Sequence, residues 1–132
     1  MSKGARVLTG RVIYAGRASG PALVSPAPLS FFGGFDLTTG VVTERNHPLE
    51  GQSAAGRVLV FPTGSGSTVG SYALLRMVKS GVGPCGLVMQ SADTTVAVGA
   101  IIAEIPCVDQ IPIAELPDGA FIAIDGAEVK VK

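Results

Sequence analysis

The run Val58-Leu59-Val60-Phe61-Pro62 feeds directly into Gly64-Ser65-Gly66-Ser67-Thr68, and this junction constrains the fold more than any other feature of the chain. Four consecutive apolar residues describe a strand covered on both faces, as in a parallel sheet, and Pro62 ends its hydrogen-bonding pattern. A helix is predicted over 68–80. Val69, Tyr72, Leu75, Met77 and Val78 recur at roughly helical spacing, Arg76 and Lys79 suit a C-terminal end, and Gly81 supplies the stop. Gly64 and Gly66 permit a tight turn, while Ser65, Ser67, Thr68 and Ser71 gather hydroxyls around unpaired helix N–H groups. Such a loop suits an anion. A Gly/Ser turn that only caps a helix is the competing reading.

From Gly56 onward the pattern continues as strand (86–90), helix (94–103) and strand (107–108), then a hairpin of Phe121 to Ile124 and Glu128 to Val131 around Asp125-Gly126. This half reads as parallel βαβ. Residues 4–55 are instead rich in Gly, Pro, Thr, Val and Ser. Strand-like runs at Arg6 to Tyr14, Gly20 to Val24 and Val41 to Glu44 are separated by turn residues. The expectation is an α/β fold with a β-barrel-like half and a parallel βαβ half, forming a single domain over 1–132.

Composition narrows the functional classes. Ten basic and ten acidic residues cancel, and no basic run interleaved with aromatics marks a nucleic-acid surface. Charges, Pro or Gly interrupt every apolar stretch well short of the roughly 20 residues of a spanning helix. Neither a nucleic-acid nor a membrane partner is expected. No segment has the form of a secretory signal, so a cytoplasmic location is expected. Cys85 and Cys107 lie in apolar surroundings and read as buried structural thiols. With the one histidine they cannot complete a zinc or iron–sulfur ligand set, so no metal site is expected on this chain.

Other segments carry paired readings. Pro28-Leu29-Ser30-Phe31-Phe32-Gly33-Gly34-Phe35-Asp36 sets aromatics beside two glycines, which suits either close approach to a ligand or neighbouring chain, or an ordinary packed turn. His47, before Pro48, is either a substrate contact or a capping residue. Asp93 reads as the N-cap of the 94–103 helix rather than as an acid catalyst. The Gly64 loop lacks the lysine of a phosphate-binding P-loop, and no Asp and His order supports a nucleophile elbow.

The succession Pro28 to Asp36, Thr39-Gly40, His47 to Gln52, Gly56 to Pro62, Gly64 to Ser67, Gly99 to Ala103 and Ile105-Pro106 resembles the swivel domain of the aconitase X family, over nearly the whole chain. Ser67 to Tyr72 and Ala103 to Asp109 resemble its archaeal members in particular. The resemblance implies a swivelling β/β/α fold and a free small subunit that pairs with a large catalytic subunit as a heterodimer or higher assembly. It implies a [4Fe-4S] cluster held by the large subunit. The implied reaction dehydrates (R)-5-phosphomevalonate to trans-anhydromevalonate 5-phosphate, on an altered mevalonate route to isoprenoids. By position in the motif, Ser67 is the implied general base. Gly64, Ser65, Gly66, Thr68, Ser30, Gly33, Gly34 and His47 are the implied substrate-binding positions. Many relatives carry Arg or Lys where Ser65 stands, so the cation facing the substrate's phosphate or carboxylate is left among Arg57, Arg45 and the partner. Two alternatives remain: a hydroxyproline dehydratase subunit, and a swivel module that docks without taking part in catalysis.

Overall fold

A computed structural model describes residues 6–65 and 69–132. Eight strands form one sheet in the order β1-β8-β7-β3-β4-β5-β6-β2. The parallel core consists of β3 (Arg17–Val24), β4 (Val58–Phe61), β5 (Gly86–Met89) and β6 (Cys107–Asp109). Antiparallel partners flank it: β7 (Phe121–Asp125) against β3, β8 (Glu128–Val131) against β7, β1 (Arg6–Thr9) against β8, and β2 (Arg11–Tyr14) against β6. The two ends of the order, β1 and β2, are separated in the chain only by Gly10. The sheet therefore closes on itself. A Cβ at Gly10 would collide with the Asp109 carbonyl oxygen, and would lie 2.8 Å from Ile111 Cδ1. Only glycine lets one strand leave β8 and join β6.

The barrel-like and βαβ halves expected from sequence are thus regions of one continuous sheet. Three local expectations change. The single strand from Arg6 to Tyr14 is divided at Gly10. Val41 to Glu44 forms no strand, making only isolated bridges from Val42 to Phe35 and from Val41 to Ser53. The helix expected from 68 is described as α2 (Gly70–Lys79); earlier in the chain, Phe31–Gly34 forms a short turn-like segment, α1.

The continuous apolar run of β4 has a simple cause. Val58 and Val60 point into the barrel with Ala22, Val88, Val108, Ile122 and Val129. Leu59 and Phe61 point the opposite way, onto Leu74 and Met77 of α2 and Val96 and Ala100 of α3 (Thr94–Ala103). All four are fully buried, each contributing about 1.5–3 kcal/mol. The helices cross closely at Gly99, where a Cβ would lie 3.2 Å from Leu74 Cδ2 and 3.3 Å from Ser71 Cα. No helix among the described residues is long and apolar enough to cross a membrane.

Where the sheet closes, Asp109 is completely buried. It accepts from Arg11 Nε (2.9 Å), Arg11 Nη2 (2.7 Å) and the Ala92 backbone N–H (2.9 Å). Burial alone would raise its carboxyl; the Arg11 guanidinium and the Ala92 N–H outweigh that and hold it below the usual carboxylate range. A carboxylate depressed in the folded state adds stability above its unfolded pKa and loses it as pH falls through the folded value. Urea midpoints should therefore drop as pH falls below about 4, and Arg11→Leu should flatten that dependence. An unchanged acid limb in the variant would contradict this role.

Candidate active site

The carboxyl ends of β3, β4, β5 and β6 share one rim of the sheet, the usual place for ligands in α/β folds. The Gly64 loop rises there after β4, and two neighbours fix its first residues. Leu29 pairs with Gly64 as a parallel bridge: Leu29 N–H donates to Thr63 O (3.2 Å) and Ser65 N–H to Leu29 O (2.9 Å). From the other side, Gly64 N–H donates to Asp93 Oδ1 (2.9 Å). The other oxygen of Asp93 accepts from Val96 N–H at 3.4 Å, the N-cap role anticipated from sequence. One carboxylate thus ties the loop to the start of α3. Only glycine fits at 64, because a Cβ there would lie 2.5 Å from both Asp93 Oδ1 and Val96 Cγ2.

Phe31 to Gly34 forms the wall beside this loop. Phe32 (φ −94°, ψ 116°) and Gly33 (φ 90°, ψ −16°) have the dihedrals of a type II turn, whose third position needs a positive φ. Ser30 Oγ donates to Phe32 O at 2.8 Å, and the Phe31 ring stacks on Phe35, 5.2 Å between centroids. A Cβ built on Gly70 would lie 3.8 Å from Phe32 N and 3.1 Å from Thr95 Cγ2, so the turn, α2 and α3 converge at the loop. The side chains of Phe32, Val69 and Tyr72 there are 54%, 48% and 69% exposed.

The structure therefore gathers Ser30, Gly33, Gly64 and Ser65. Ser67, Gly66 and Thr68, the expected base and two of the expected binding positions, lie outside the described residues. Gly34 is buried and faces inward: its carbonyl accepts from Thr43 and Glu44 N–H, and a Cβ would sit 3.3 Å from Glu44 Oε1. His47 is buried, with both ring nitrogens engaged by backbone. Leu49 N–H donates to Nδ1 (3.0 Å), so Nδ1 carries no proton, and Nε2–H donates to Pro28 O (3.0 Å).

Two expectations about the loop are corrected. Ser71 does not add a hydroxyl to the loop; it is buried within α2 and donates to Thr95 O at 2.7 Å. The N–H groups of Gly64 and Ser65 are already taken by Asp93 and Leu29, so neither is offered to an anion. Arg57 precedes β4 at the opposite end from the loop, roughly 13 Å of strand away, and makes a poor counter-cation. Sequence reasoning missed Asp93 as a loop anchor. Its local signal was an N-cap, and its bond to Gly64 spans 29 residues.

Cys85 and Cys107 are free thiols in largely apolar surroundings. Burial raises the half-buried Cys85 thiol, and burial first, then the charges of Asp109 and Asp93, pushes buried Cys107 up to about 12. Among the described residues no group of three or more His, Cys, Asp or Glu side chains could hold a metal ion.

Comparison with known proteins bears on this geometry. The family model described as the aconitase X swivel domain matches residues 7–132. The phosphomevalonate dehydratase small subunit of Methanocella arvoryzae is 47% identical over 122 residues, 90% of this chain and 92% of its own length. That of Thermococcus kodakarensis is 44% identical over 125 residues, 95% of this chain and 94% of its own. A crystal structure of Thermococcus kodakaraensis aconitase X in its holo-form superposes with a TM-score of 0.94 at 43% identity, covering 96% of this chain and 98% of that one.

Proposed function

Because the chain belongs to the aconitase X swivel-domain family, we propose that it is the small subunit of a phosphomevalonate dehydratase, a hydro-lyase that acts with a large subunit. The substrate is (R)-5-phosphomevalonate and the product trans-anhydromevalonate 5-phosphate. The observation that carries this reading is near end-to-end similarity to small subunits of that enzyme, at 44–47% identity in the relatives just described.

Loss of water removes a proton from one carbon and a hydroxyl from its neighbour. This chain contributes to the first event, with Ser67 as general base. A serine hydroxyl is a weak base unless its alkoxide is stabilised. The start of α2 lies three residues beyond Ser67, and the N–H groups there favour negative charge. The departure of the hydroxyl falls to the large subunit. The reading puts a [4Fe-4S] cluster there, because two cysteines and one histidine are too few to hold one on this chain.

Three features support a site completed by two chains. Ser65 leaves the motif without a cation of its own and Arg57 lies at the far end of β4, so the charge facing the substrate's phosphate falls to Arg45 or the partner. Phe32, Val69 and Tyr72 hold large apolar surfaces in solvent beside the loop, as expected of a surface that another chain covers. Asp93 and Leu29 fix the loop's entry at Gly64 and Ser65. A phosphorylated substrate does not cross bilayers unaided, and the reading places the pair in the cytoplasm.

Reconstitution tests this function. The subunit mixed with its large partner should convert (R)-5-phosphomevalonate with loss of water, whereas either chain alone should be inactive. Conversion of hydroxyproline instead would replace the substrate and keep the reaction class. Turnover by this subunit alone would overturn the two-chain reading.

A further inference from the structure

His47 is the only histidine of the chain, and its ring is committed to backbone on two sides. The Nδ1 side is local. It accepts from Leu49 N–H, two residues on, and shapes the turn in which Glu50 N–H donates to His47 O at 3.0 Å. The Nε2 side is long-range. It donates to Pro28 O, nineteen residues earlier, in the residue immediately before Leu29. Leu29 in turn brackets the Gly64 loop, accepting from Ser65 N–H and donating to Thr63 O.

This makes a continuous path from imidazole to loop. Pro28 has no N–H of its own, so its carbonyl is the one backbone hydrogen-bonding group by which its peptide can be held. Losing the His47 bond frees Pro28 and, with it, one of the two supports of the loop's entry, the one that holds Ser65. The other support, Asp93, holds Gly64 alone.

We propose that His47 is a positioning residue for the dehydration, acting through Pro28 and Leu29 to fix the entry of the Gly64 loop at Ser65. The inference rests on the functional reading above, with Ser67 as base. It differs from the role that family resemblance gave His47, contact with substrate. Because the ring's two nitrogens serve different segments, the two roles can be separated chemically. Glutamine places an amide N–H near the Nε2 position and can restore the bond to Pro28. Asparagine places its oxygen near the Nδ1 position and can restore only the bond from Leu49.

The experiment uses the reconstituted two-subunit enzyme with saturating (R)-5-phosphomevalonate and compares His47→Ala, His47→Gln and His47→Asn. Melting temperature and association with the large subunit are measured in parallel. His47→Ala is expected to lower kcat about tenfold or more with KM and association nearly unchanged, since displacement of a catalytic group acts on kcat. His47→Gln should recover most of that loss, and His47→Asn should not. A rise in KM with kcat retained would mean that His47 contacts substrate, and would overturn the proposal. So would equal kcat values for Gln and Asn, or wild-type kcat in His47→Ala despite a lowered melting temperature. Ser67→Ala, measured alongside, separates the two claims. If it is fully active the base assignment fails, whereas an inactive Ser67→Ala with a normal His47→Asn removes only the role of His47.

Discussion

Gly10→Ala should destabilise the protein by about 3 kcal/mol or more, an effect usually reserved for the truncation of large core side chains. The added methyl would have to occupy the space of the Asp109 carbonyl oxygen, and would also lie 2.9 Å from Val108 Cγ1. Backbone cannot yield as a flexible side chain does, so either β2 shifts off β6 or the chain between β1 and β2 changes course. Both outcomes cost more than local repacking, because Gly10 joins the first and last strands of the sheet order. They would also move Asp109, which Arg11 and Ala92 hold at the same place. Thr9→Ala, an exposed neighbour, should cost less than about 1 kcal/mol. Urea unfolding of the two variants makes the comparison. A Gly10→Ala midpoint near that of wild type would mean that closure does not depend on this bend.

Much of the parallel region was legible because each cue was local. Val58 to Phe61 announced a doubly covered strand, and Asp93 announced the start of α3 at Thr94, where the helix begins. The closing hairpin followed from Asp125-Gly126 between two alternating runs. What stayed hidden depended on distant partners. Gly10 in the run from Arg6 to Tyr14 reads as a weak strand position, and only the carbonyl of Asp109, ninety-nine positions away, explains it. The continuous sheet was likewise hidden, since β3 pairs with β4 on one side and with β7, about a hundred residues later, on the other.

Site residues followed the same rule. Gly33 and Gly64 were legible as residues needing special geometry, and the structure gives the reasons: a positive φ at Gly33 and a crowded Asp93 at Gly64. His47 looked like a loop residue because its burial comes from Pro28 and Leu49 rather than from any pattern around it. Val41 to Glu44 failed as a strand because its alternation is too short to pair continuously; the backbone there bonds in turn to Asp36, Gly34 and Gln52.

The largest functional effect is expected at Ser67. Asp93 and Leu29 fix the loop at Gly64 and Ser65 as it leaves β4, and α2 begins at Gly70. Ser67→Ala removes one oxygen and adds no bulk, leaving those anchors and the exposed side chains of Phe32, Val69 and Tyr72 as they are. Association with the large subunit should therefore survive while proton removal does not. Loss of a positioned general base costs typically two to four orders of magnitude in rate. The deciding measurement is kcat for the reconstituted Ser67→Ala enzyme, with complex formation assayed on the same material. The account predicts an intact complex whose turnover of (R)-5-phosphomevalonate falls about a hundredfold or more. An intact complex that dehydrates the substrate at close to the wild-type rate would show that this subunit does not supply the base.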